Sequence, residues 1–432
     1  MKNISLIQDI VEFVINVNYL KEAKIMEIKN CRVCGSDKLV PIFSLGEQYI
    51  SNFIKSKKEQ GEKIPLNLVL CKKCSLLQLE HNAPDELMWN ENYGYLSGIS
   101  STIKTDLRDI VNKAKCLKEI EKGDIVVDIG SNDGFLLECY DKGKLVGFEP
   151  SKNVCEIARK KGFNIINNFF NAKDYKKQFD KKAKIITAIS MFYDLENPNR
   201  FLRDITKCLD KDGLFVIQQN YLVSMLKQNA FDNILHEHRS YQSFTSLKYM
   251  LKKQGLEIFD IELNEINGGS IRTYIKFKES DLEGFDGPEE RIKQIEEKEK
   301  GLKLDTPKPY LEFASRIEKI KEELMNFLKQ EKKKGKKIWI YGASTRGNVA
   351  NQFFGLDCNL IEGIADKNPD KWGKKTIGSF IPIISPEEMR KLKPNFILIN
   401  TWHFFEEVKQ QEKEFFEKGG KFIVALPEFK VI

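Results

Sequence analysis

The sequence predicts an α/β protein with three parts: a small metal-binding module, a central doubly wound sheet, and a second α/β unit at the C-terminus. Two Cys-x-x-Cys pairs stand near the N-terminus, and β-branched apolar runs alternate with helical stretches through the middle of the chain. A strand, glycine loop and helix pattern begins again after residue 336. Such alternation is typical of a mostly parallel sheet covered by helices. The 432 residues suffice for about three domains of ~150 residues each.

The composition is that of a globular protein, with 41% hydrophobic residues, 31% charged residues and a net charge of +7. The lysine-rich run EKKKGKK precedes an apolar strand, which favours a solvated linker over a nucleic-acid-binding patch. No apolar run is long enough to span a bilayer, and the N-terminal apolar stretch carries Asp9 and Glu12 and lacks the features of a signal peptide. We therefore expect a cytoplasmic monomer without a membrane or nucleic-acid partner. The sequence leaves open whether translation starts at Met1 or Met26.

The two cysteine pairs are Cys31 with Cys34 and Cys71 with Cys74. Two such pairs bring four thiolates together, which is the tetrahedral ligand set that Zn²⁺ prefers. Gly35 follows the first pair, where a tight turn needs a residue that adopts positive φ. A single pair would also suit a redox site, but two pairs predict structural zinc, because four cysteines leave no open position for a substrate. The odd total of nine cysteines fits a reducing compartment.

The central unit is predicted from four apolar strand-like runs: the start of the segment at residues 125–140, the run at residues 144–149, and the segments at residues 184–192 and 213–220. Helical stretches separate them, as expected for a doubly wound sheet. In such sheets ligands bind beyond the carboxyl ends of the strands. We therefore expect the functional residues to follow these runs.

The loop DIGSNDG follows the first of these strands and contains Gly130 and Gly134. Glu149 ends the second strand, where a carboxylate can accept hydrogen bonds from both hydroxyl groups of a ribose. These features alone fit a dinucleotide or S-adenosylmethionine, but the loop is not the GxGxxG of dinucleotide sites. Asp128, just before the first glycine, resembles the first motif of class I S-adenosylmethionine-dependent methyltransferases. The predicted cofactor contacts are Asp128, Gly130, Asn132, Gly134, Glu149, Pro150 and Ser190.

The segment NILHEHRSYQSF holds two of the four histidines of the chain, His236 and His238, on either side of Glu237. A zinc protease would need HExxH, which is absent. The segment follows the last of the four strand-like runs, at residues 213–220, so we expect it over the cofactor face. Imidazole is well suited to take a proton near neutral pH, and a neighbouring carboxylate can orient it. Ordinary core or loop histidines remain the alternative.

The order of these segments resembles the S-adenosylmethionine-dependent C-methyltransferases that act on nucleotide-linked 4-keto-deoxysugars. The resemblance runs from Cys31 to the C-terminus and is carried by CRVCGS, CKKCSLLQL, NYGYLSG, VVDIGSNDGFLL, GFEPS, NAFDNILHEHRSYQSF, NGGSIR and YGASTRGN. It implies a zinc-binding N-terminal domain, a central methyltransferase domain and a C-terminal Rossmann-like domain. It also implies that His238 is the catalytic base, that Glu237 assists it, and that Tyr93 or Tyr95 lines the site.

Two positions depart from the family pattern. Many relatives have an aromatic residue just before HEH, where this chain has Leu235. Many relatives have an asparagine-rich sequence at the end of the strand that corresponds to residues 184–192. This chain has SMFYD there, at residues 190–194. These departures leave the sugar, the nucleotide and the methylated carbon open.

The C-terminal unit repeats the strand, loop and helix pattern, with Asp366 ending its second strand. Gly342 and Gly347 are too far apart for GxGxxG, so NAD is not indicated. A helix N-terminus can still hold a phosphate, and the resemblance implies that this unit helps to bind the nucleotide-sugar. The turn INGGS before the connector is predicted to be both a hairpin and a wall against the sugar. The predicted substrate contacts are Gly268, Gly269, Ser270, Arg272, Arg346 and Asn348.

The expected boundaries are an N-terminal extension at 1–25, the zinc module at 26–90, the methyltransferase domain at 91–280, a helical connector at 281–335 and the Rossmann-like domain at 336–432. Charged helices should form the connector, interrupted at KEKGLK and TPKP. The predicted function is C-methylation of a nucleotide-linked 4-keto-deoxysugar, in which His238 removes the proton next to the ketone. The alternatives are O- or N-methylation of a sugar nucleotide, a zinc-ribbon nucleic-acid methyltransferase, and a non-catalytic scaffold that binds S-adenosylmethionine.

Overall fold

The computed structural model describes residues 25–89 and 94–432, so Tyr93 and nearly all of the predicted N-terminal extension lie outside the described residues. The strands are β1 Met26–Glu27, β2 Leu39–Tyr49, β3 Phe53–Ile54, β4 Lys63–Cys71, β5 Leu77–Leu79, β6 His81–Asn82, β7 Ile125–Ile129, β8 Lys144–Phe148, β9 Asn164–Ile166, β10 Ala183–Ile189, β11 Leu209–Asn220, β12 Ser240–Tyr241, β13 Leu256–Asn264, β14 Ser270–Phe277, β15 Ile338–Tyr341, β16 Gly363–Ala365, β17 Lys375–Thr376, β18 Ile383–Ile384, β19 Phe396–Ile399, β20 Lys421–Val424 and β21 Lys430–Val431. The α-helices are α1 Asp85–Met88, α2 Ser101–Leu117, α3 Phe135–Glu138, α4 Lys152–Lys160, α5 Ala172–Gln178, α6 Pro198–Cys208, α7 Leu222–Lys227, α8 Phe244–Lys252, α9 Pro288–Leu302, α10 Lys308–Lys333, α11 Thr345–Phe354, α12 Pro386–Lys391, α13 Phe405–Gln411 and α14 Lys413–Glu417.

The N-terminal module is built on an antiparallel sheet in the order β12-β5-β4-β2. Its outer strand β12 comes from far along the chain and follows the HEH segment directly. The backbone N–H of Leu79 also donates to the carbonyl of Arg239, at 3.0 Å. The HEH segment is therefore attached to the N-terminal module through backbone hydrogen bonds.

The central sheet has the order β13-β14-β11-β10-β7-β8-β9 in the described residues. The five strands β9, β8, β7, β10 and β11 run parallel to one another. Strands β14 and β13 add an antiparallel hairpin at one edge of the sheet. All five residues of β7, IVVDI, are buried, as expected for a strand covered on both faces. Strand β8 lies on one side of β7 in the sheet and β10 lies on the other side, so the strand order reverses at β7. The predicted doubly wound sheet and its terminal hairpin are confirmed, and the ligand-binding crevice is expected where the strand order reverses.

The C-terminal unit is a second sheet in the order β18-β16-β15-β19-β20-β21. Its strands run parallel except for β21, which pairs antiparallel with β20. The side chain of Ser344 caps α11 by accepting a hydrogen bond from the backbone N–H of Gly347. The predicted Rossmann-like pattern of strand, loop and helix is confirmed.

Two helices, α9 and α10, join the two sheets. The predicted break falls at the end of KEKGLK, where α9 ends at Leu302 and Lys303 adopts a φ of +53°. Helix α10 buries a stripe of apolar residues, Tyr310, Phe313, Ile317, Ile320, Leu324 and Leu328. This stripe shares one core with β4 of the N-terminal module and β15 of the C-terminal sheet. No helix in the described parts of the chain is both long and apolar enough to cross a membrane.

Candidate active site

A cavity of about 470 Å³ lies at the carboxyl ends of β7, β8 and β10. This is the crevice that the strand order predicts, and the volume suits a small organic ligand. Gly130, Glu149 and Ser190 line it from the ends of these three strands. The remaining wall includes Asp85, Trp89, Tyr95, Phe169, Asp194, Arg239 and Asn267.

Glu149 is buried at the end of β8 and organises the glycine loop. Its carboxylate accepts the backbone N–H of Asn132 at 3.0 Å and that of Ser151 at 2.8 Å. Burial raises the pKa of Glu149, and the two backbone hydrogen bonds oppose this shift. An ionised carboxylate has about four acceptor positions, so two remain for a ligand in the cavity. Glu149 is thus fit to bind ribose hydroxyl groups.

The two glycines of the loop lie where a larger residue would crowd neighbouring side chains. Gly130 has a φ of +70°, and a Cβ atom there would lie 3.2 Å from the side chain of Met191. Gly134, also at positive φ, packs against Phe163, where a Cβ atom would lie 2.9 Å from the ring. Gly134 is absent from the cavity lining, so its role in the loop is in packing rather than in ligand contact.

Asp128 lines the cavity from within β7 and is 3% exposed. Burial raises its pKa to about 7, against the effect of Thr187, whose hydroxyl donates to the carboxylate at 2.6 Å. The remaining two predicted cofactor residues, Pro150 and Ser190, also line the cavity. Ser190 has a φ of +54°, a conformation uncommon for residues other than glycine. Strain of this kind often occurs at functional sites.

The four predicted metal ligands come together in one cluster. The Sγ atoms of Cys31, Cys34, Cys71 and Cys74 all lie within 4.8 Å of one another. The sulfurs of Cys31 and Cys74 are 3.5 Å apart, and those of Cys34 and Cys71 are 3.4 Å apart. A tetrahedral Zn²⁺ with bonds of ~2.3 Å places its sulfurs roughly 3.8 Å apart, so the cluster fits zinc.

Each cysteine pair forms the same turn. The backbone N–H of Gly35 donates to the carbonyl of Cys31 at 2.9 Å, and Ser75 donates to Cys71 at the same distance. Both Gly35 and Ser75 adopt positive φ. Asn199 of α6 donates through its side chain to the carbonyl of Val33 at 2.8 Å, which fixes the first turn to the central domain.

The two histidines of HEH have different surroundings. His236 is 3% exposed, and its Nε2 is 3.0 Å from the carbonyl oxygen of Ile64 in β4. Burial lowers its pKa to about 4. It therefore serves to attach the segment to the N-terminal module.

His238 is only partly buried, and its Nδ1 lies 2.8 Å from the carbonyl oxygen of Asn233. Because a carbonyl only accepts, Nδ1 must carry the proton, and in neutral His238 the Nε2 atom is left as a proton acceptor. Burial lowers the pKa of His238 to about 3, so the ring is neutral at physiological pH. Its ring packs against Tyr193, with the ring centroids 4.2 Å apart.

His238 lies in a small cavity of about 10 Å³ next to the large one, and it does not line the large cavity itself. The small cavity has room for at most about one water molecule. Tyr193 lines the small cavity, and the next residue, Asp194, lines the large one.

The residues on either side of His238 carry charges. Burial raises the pKa of Glu237 to about 7. The guanidinium of Arg239 is almost fully buried, forms an ion pair with Asp85 and donates to the carbonyl of Ala83 at 3.0 Å.

Tyr95 is the one of the two predicted site tyrosines that lies within the described residues. It lines the large cavity and is 48% exposed.

Three family models match successive parts of the chain: a zinc-binding domain at residues 31–89, a methyltransferase domain at 101–261 and a C-methyltransferase C-terminal domain at 265–427. The C-methyltransferase NovU of Streptomyces niveus is 31% identical over 414 residues, which cover 94% of this chain and 97% of NovU. The chain belongs to this family of C-methyltransferases. It is therefore an S-adenosylmethionine-dependent enzyme with a zinc-binding N-terminal domain.

Two further matches are less extensive. An uncharacterised protein of Methanocaldococcus jannaschii is 29% identical over 216 residues, which cover 48% of this chain and 78% of that protein. Among solved structures, the plantazolicin methyltransferase BamL in complex with a triazolic desmethylPZN analogue and SAH is 15% identical. The match covers 42% of this chain and 87% of BamL at a TM-score of 0.34, which is too low to carry an argument.

The predicted substrate residues of this C-methyltransferase lie mostly outside the cavity. A Cβ atom at Gly268 would lie 2.8 Å from Trp402, and one at Gly269 would lie 2.5 Å from Ser224. The hydroxyl of Ser270 donates to the carbonyl of Ile266 at 2.9 Å, inside its own turn. The predicted backbone wall therefore does not come from these three residues, and Ile266 and Asn267 line the cavity instead.

The two predicted arginine contacts are already paired within the C-methyltransferase. Arg272 is 1% exposed and donates to Asp106 at 2.8 Å and to Asp109 at 2.7 Å, beneath the helix α2. Arg346 donates to both carboxylate oxygens of Asp232. Neither guanidinium is among the residues that line the cavity, and both are held in ion pairs within the protein.

Asn348 is also structural. It is 1% exposed, and its side-chain amide donates to the carbonyl of Asn52 at 2.8 Å, which ties the C-terminal domain to the N-terminal module.

Sequence reasoning missed several residues of the cavity wall. Asp85 and Trp89 come from the end of the N-terminal module, and Phe169 follows β9. Trp89 and Phe169 meet edge to face, with ring centroids 5.9 Å apart. The four residues NNFF after an apolar strand are a usable sequence signal for Phe169, since ligands bind at strand ends. Asp194 lies in the SMFYD departure, of which only Ser190 was predicted to contact a ligand.

Proposed function

We propose that this C-methyltransferase methylates a carbon atom next to the ketone of a nucleotide-linked 4-keto-deoxysugar, with His238 as the base. The main observation in support is the cavity at the carboxyl ends of three parallel strands, because the cofactor loop lines it together with Arg239, the residue that directly follows His238. The family membership supports carbon as the methyl acceptor. The sugar-nucleotide class is supported by the resemblance of the HEH and NGGSIR segments to the family of nucleotide-sugar C-methyltransferases.

The cofactor end of the cavity fits S-adenosylmethionine. Glu149 has free acceptor positions for the ribose, and Gly130 of the loop lines the same cavity. When bound, S-adenosylmethionine supplies an electrophilic methyl group on a positively charged sulfur. The residues of the cavity would hold the acceptor carbon in line with that methyl group, which is mainly a task of positioning.

The proton would pass to Nε2 of His238. The hydrogen bond from Nδ1 to the carbonyl of Asn233 fixes the tautomer in which Nε2 has a free lone pair. The ketone makes the adjacent C–H acidic, and the electron pair left on the carbon is delocalised onto the ketone oxygen as an enolate. The enolate carbon would then be positioned to accept the methyl group that bound S-adenosylmethionine supplies, with the methyl–sulfur bond breaking and its electron pair remaining on sulfur, while His238 holds the proton until solvent removes it.

A ring with a pKa of about 3 is a weak base, so the protonated ring needs stabilisation when the substrate binds. Glu237 can supply it, because its carboxylate is ionised above a pH of about 7 and a nearby negative charge favours the imidazolium. The substrate must also reach from the large cavity past Tyr193 to the ring of His238.

The decisive test is methylation of a panel of nucleotide-linked 4-keto sugars with S-adenosylmethionine. Mass spectrometry should show a gain of one methylene mass, and NMR should place the new methyl group on carbon. A matched set of nucleotide-sugars whose ketone has been reduced to an alcohol should not react. Methylation of oxygen or nitrogen, or reaction of the reduced sugars at a similar rate, would contradict the proposal.

A further inference from the structure

Asp194 has a distinctive position in the cavity. It follows β10 by five residues, at the end of the segment that begins with the cofactor-end residue Ser190. The residue before it, Tyr193, contacts the ring of His238. Asp194 thus lies along the wall between the cofactor loop and the proposed base, where the sugar must sit for its carbon to reach both.

The carboxyl group of Asp194 lacks a partner for one of its oxygens. Its Oδ1 is buried and receives no hydrogen bond from any residue in the described parts of the chain. The nearby cation, Arg239, is engaged by Asp85 and by the carbonyl of Ala83. A buried acceptor without a donor costs free energy, and native structures rarely contain one without a functional reason.

The electrostatic surroundings of the Asp194 carboxyl group also favour a ligand that donates a hydrogen bond to it. Burial raises the pKa of Asp194 well above its usual range, and the neighbouring Glu237 raises it further. Arg239 opposes this shift only in part, and Asp85 adds to it. The carboxylate of Asp194 therefore gains the most from a ligand that brings a hydrogen-bond donor or a positive charge.

We propose that Asp194 determines substrate specificity by accepting a hydrogen bond from a donor substituent, a hydroxyl or an ammonium group, on the sugar ring. The inference rests on the proposed function, because it concerns the substrate end of the same cavity. A site that pairs with a substrate donor rejects the analogue that lacks the donor, since its own buried acceptor is then left unpaired.

The test compares keto-sugar nucleotides that differ in one ring substituent, which is a hydroxyl, an ammonium or a hydrogen. Wild-type enzyme should prefer a donor-bearing member over its deoxy counterpart by roughly 10- to 100-fold in kcat/KM. In Asp194→Ala the preference should disappear, while the affinity for S-adenosylmethionine, measured by calorimetry, stays unchanged. Asp212→Asn, at an exposed acid remote from the cavity lining, is the matched control and should keep the preference.

The variant Asp194→Asn separates the two kinds of donor. Its amide oxygen still accepts from a hydroxyl but has no charge to attract an ammonium, so selectivity should survive for a hydroxyl and vanish for an ammonium. Equal use of donor-bearing and deoxy sugars by the wild type would overturn the role of Asp194 and leave the proposed methylation standing. A preference that persists in Asp194→Ala would also overturn it. If no keto-sugar nucleotide in the panel is methylated, it is the proposed function that fails.

Discussion

The guanidinium of Arg346 donates to both carboxylate oxygens of Asp232, with each N–O distance at 2.9 Å. A third nitrogen–oxygen contact of 2.8 Å joins Arg346 to the carbonyl of Asn267, and Trp402 donates to Asp232 at 3.1 Å. Asp232 and Asn267 belong to the central domain, whereas Arg346 and Trp402 belong to the C-terminal domain. This network fixes the two domains against each other next to the cavity.

Removal of Arg346 should therefore destabilise the protein. Arg346 and Asp232 are 12% and 2% exposed, so Arg346→Ala leaves a buried carboxylate without its partner and should lower the free energy of unfolding by about 3–5 kcal/mol. Chemical denaturation measures this change. Lys413→Ala, which breaks the exposed pair with Glu417, is the control and should cost at most about 1 kcal/mol. An unchanged stability with a raised KM for the nucleotide-sugar would instead support the contact that the sequence predicted.

This pair also shows which features the sequence could predict. Strands, glycine loops and cysteine pairs are local patterns, and the three domains, the metal cluster and most of the cofactor loop follow from them. The sequence predicts Arg346 as a substrate contact and not as an ion-pair partner of Asp232, because the two residues are 114 positions apart and no local pattern indicates that pairing. Arg272 is a similar case, since its partner Asp106 lies 166 positions away. No local sequence pattern predicts the pairing of β12 with β5, which holds the HEH segment in place.

Cys71→Ser should remove zinc and, with it, methyl transfer. The HEH segment is held by the zinc module through Leu79 and Ile64, so loosening that module displaces His238. Elemental analysis should find one zinc per chain in the wild type and little in the variant, while calorimetry should still detect binding of S-adenosylmethionine by the central sheet. Cys358→Ser, at an exposed cysteine, should retain its metal. Full zinc content in Cys71→Ser would refute the four-cysteine site.

Glu149→Gln should weaken the binding of S-adenosylmethionine. The variant loses the negative charge that the ribose hydroxyl groups and two backbone N–H groups share, which corresponds to about 1–3 kcal/mol in calorimetry. Glu138→Gln, on the nearby helix α3 and half-exposed, provides the control and should bind normally. Unchanged affinity in Glu149→Gln would mean that the cofactor lies elsewhere.

The pH dependence should follow Glu237. His238, with a pKa of about 3, is neutral throughout the usual range, whereas Glu237, with a pKa of about 7, ionises within it. If the carboxylate supports the imidazolium, kcat/KM rises with pH through about 7, and Glu237→Gln has a lower, flat profile. Asp128 titrates near the same pH, so Asp128→Asn is the control and should keep the rise. A rise that persists in Glu237→Gln and disappears in Asp128→Asn would transfer the effect to Asp128.

Glu237 should also affect stability in a defined direction. Its folded-state pKa is raised, so the folded protein holds the proton more tightly than the unfolded chain. That contribution is complete below the unfolded pKa of about 4 and is lost as the pH rises through about 7. Glu237→Gln should therefore gain melting temperature relative to wild type between pH 4 and pH 8. A constant difference across that range would show that the carboxyl group is not desolvated.

The last prediction concerns the division of labour between the two histidines. His238→Asn cannot accept the proton at Nε2, so turnover should fall by roughly 10²–10⁴-fold with little change in cofactor affinity. In D₂O, with S-adenosylhomocysteine bound, wild-type enzyme should exchange the sugar C–H next to the ketone, and His238→Asn should not. His236→Asn loses the contact with Ile64, so it should lower the melting temperature while the folded fraction still exchanges. His81→Asn, remote from both cavities, is the control for loss of a histidine. Exchange that survives in His238→Asn and is lost in folded His236→Asn would reverse the roles, and full activity in both variants would make the segment structural.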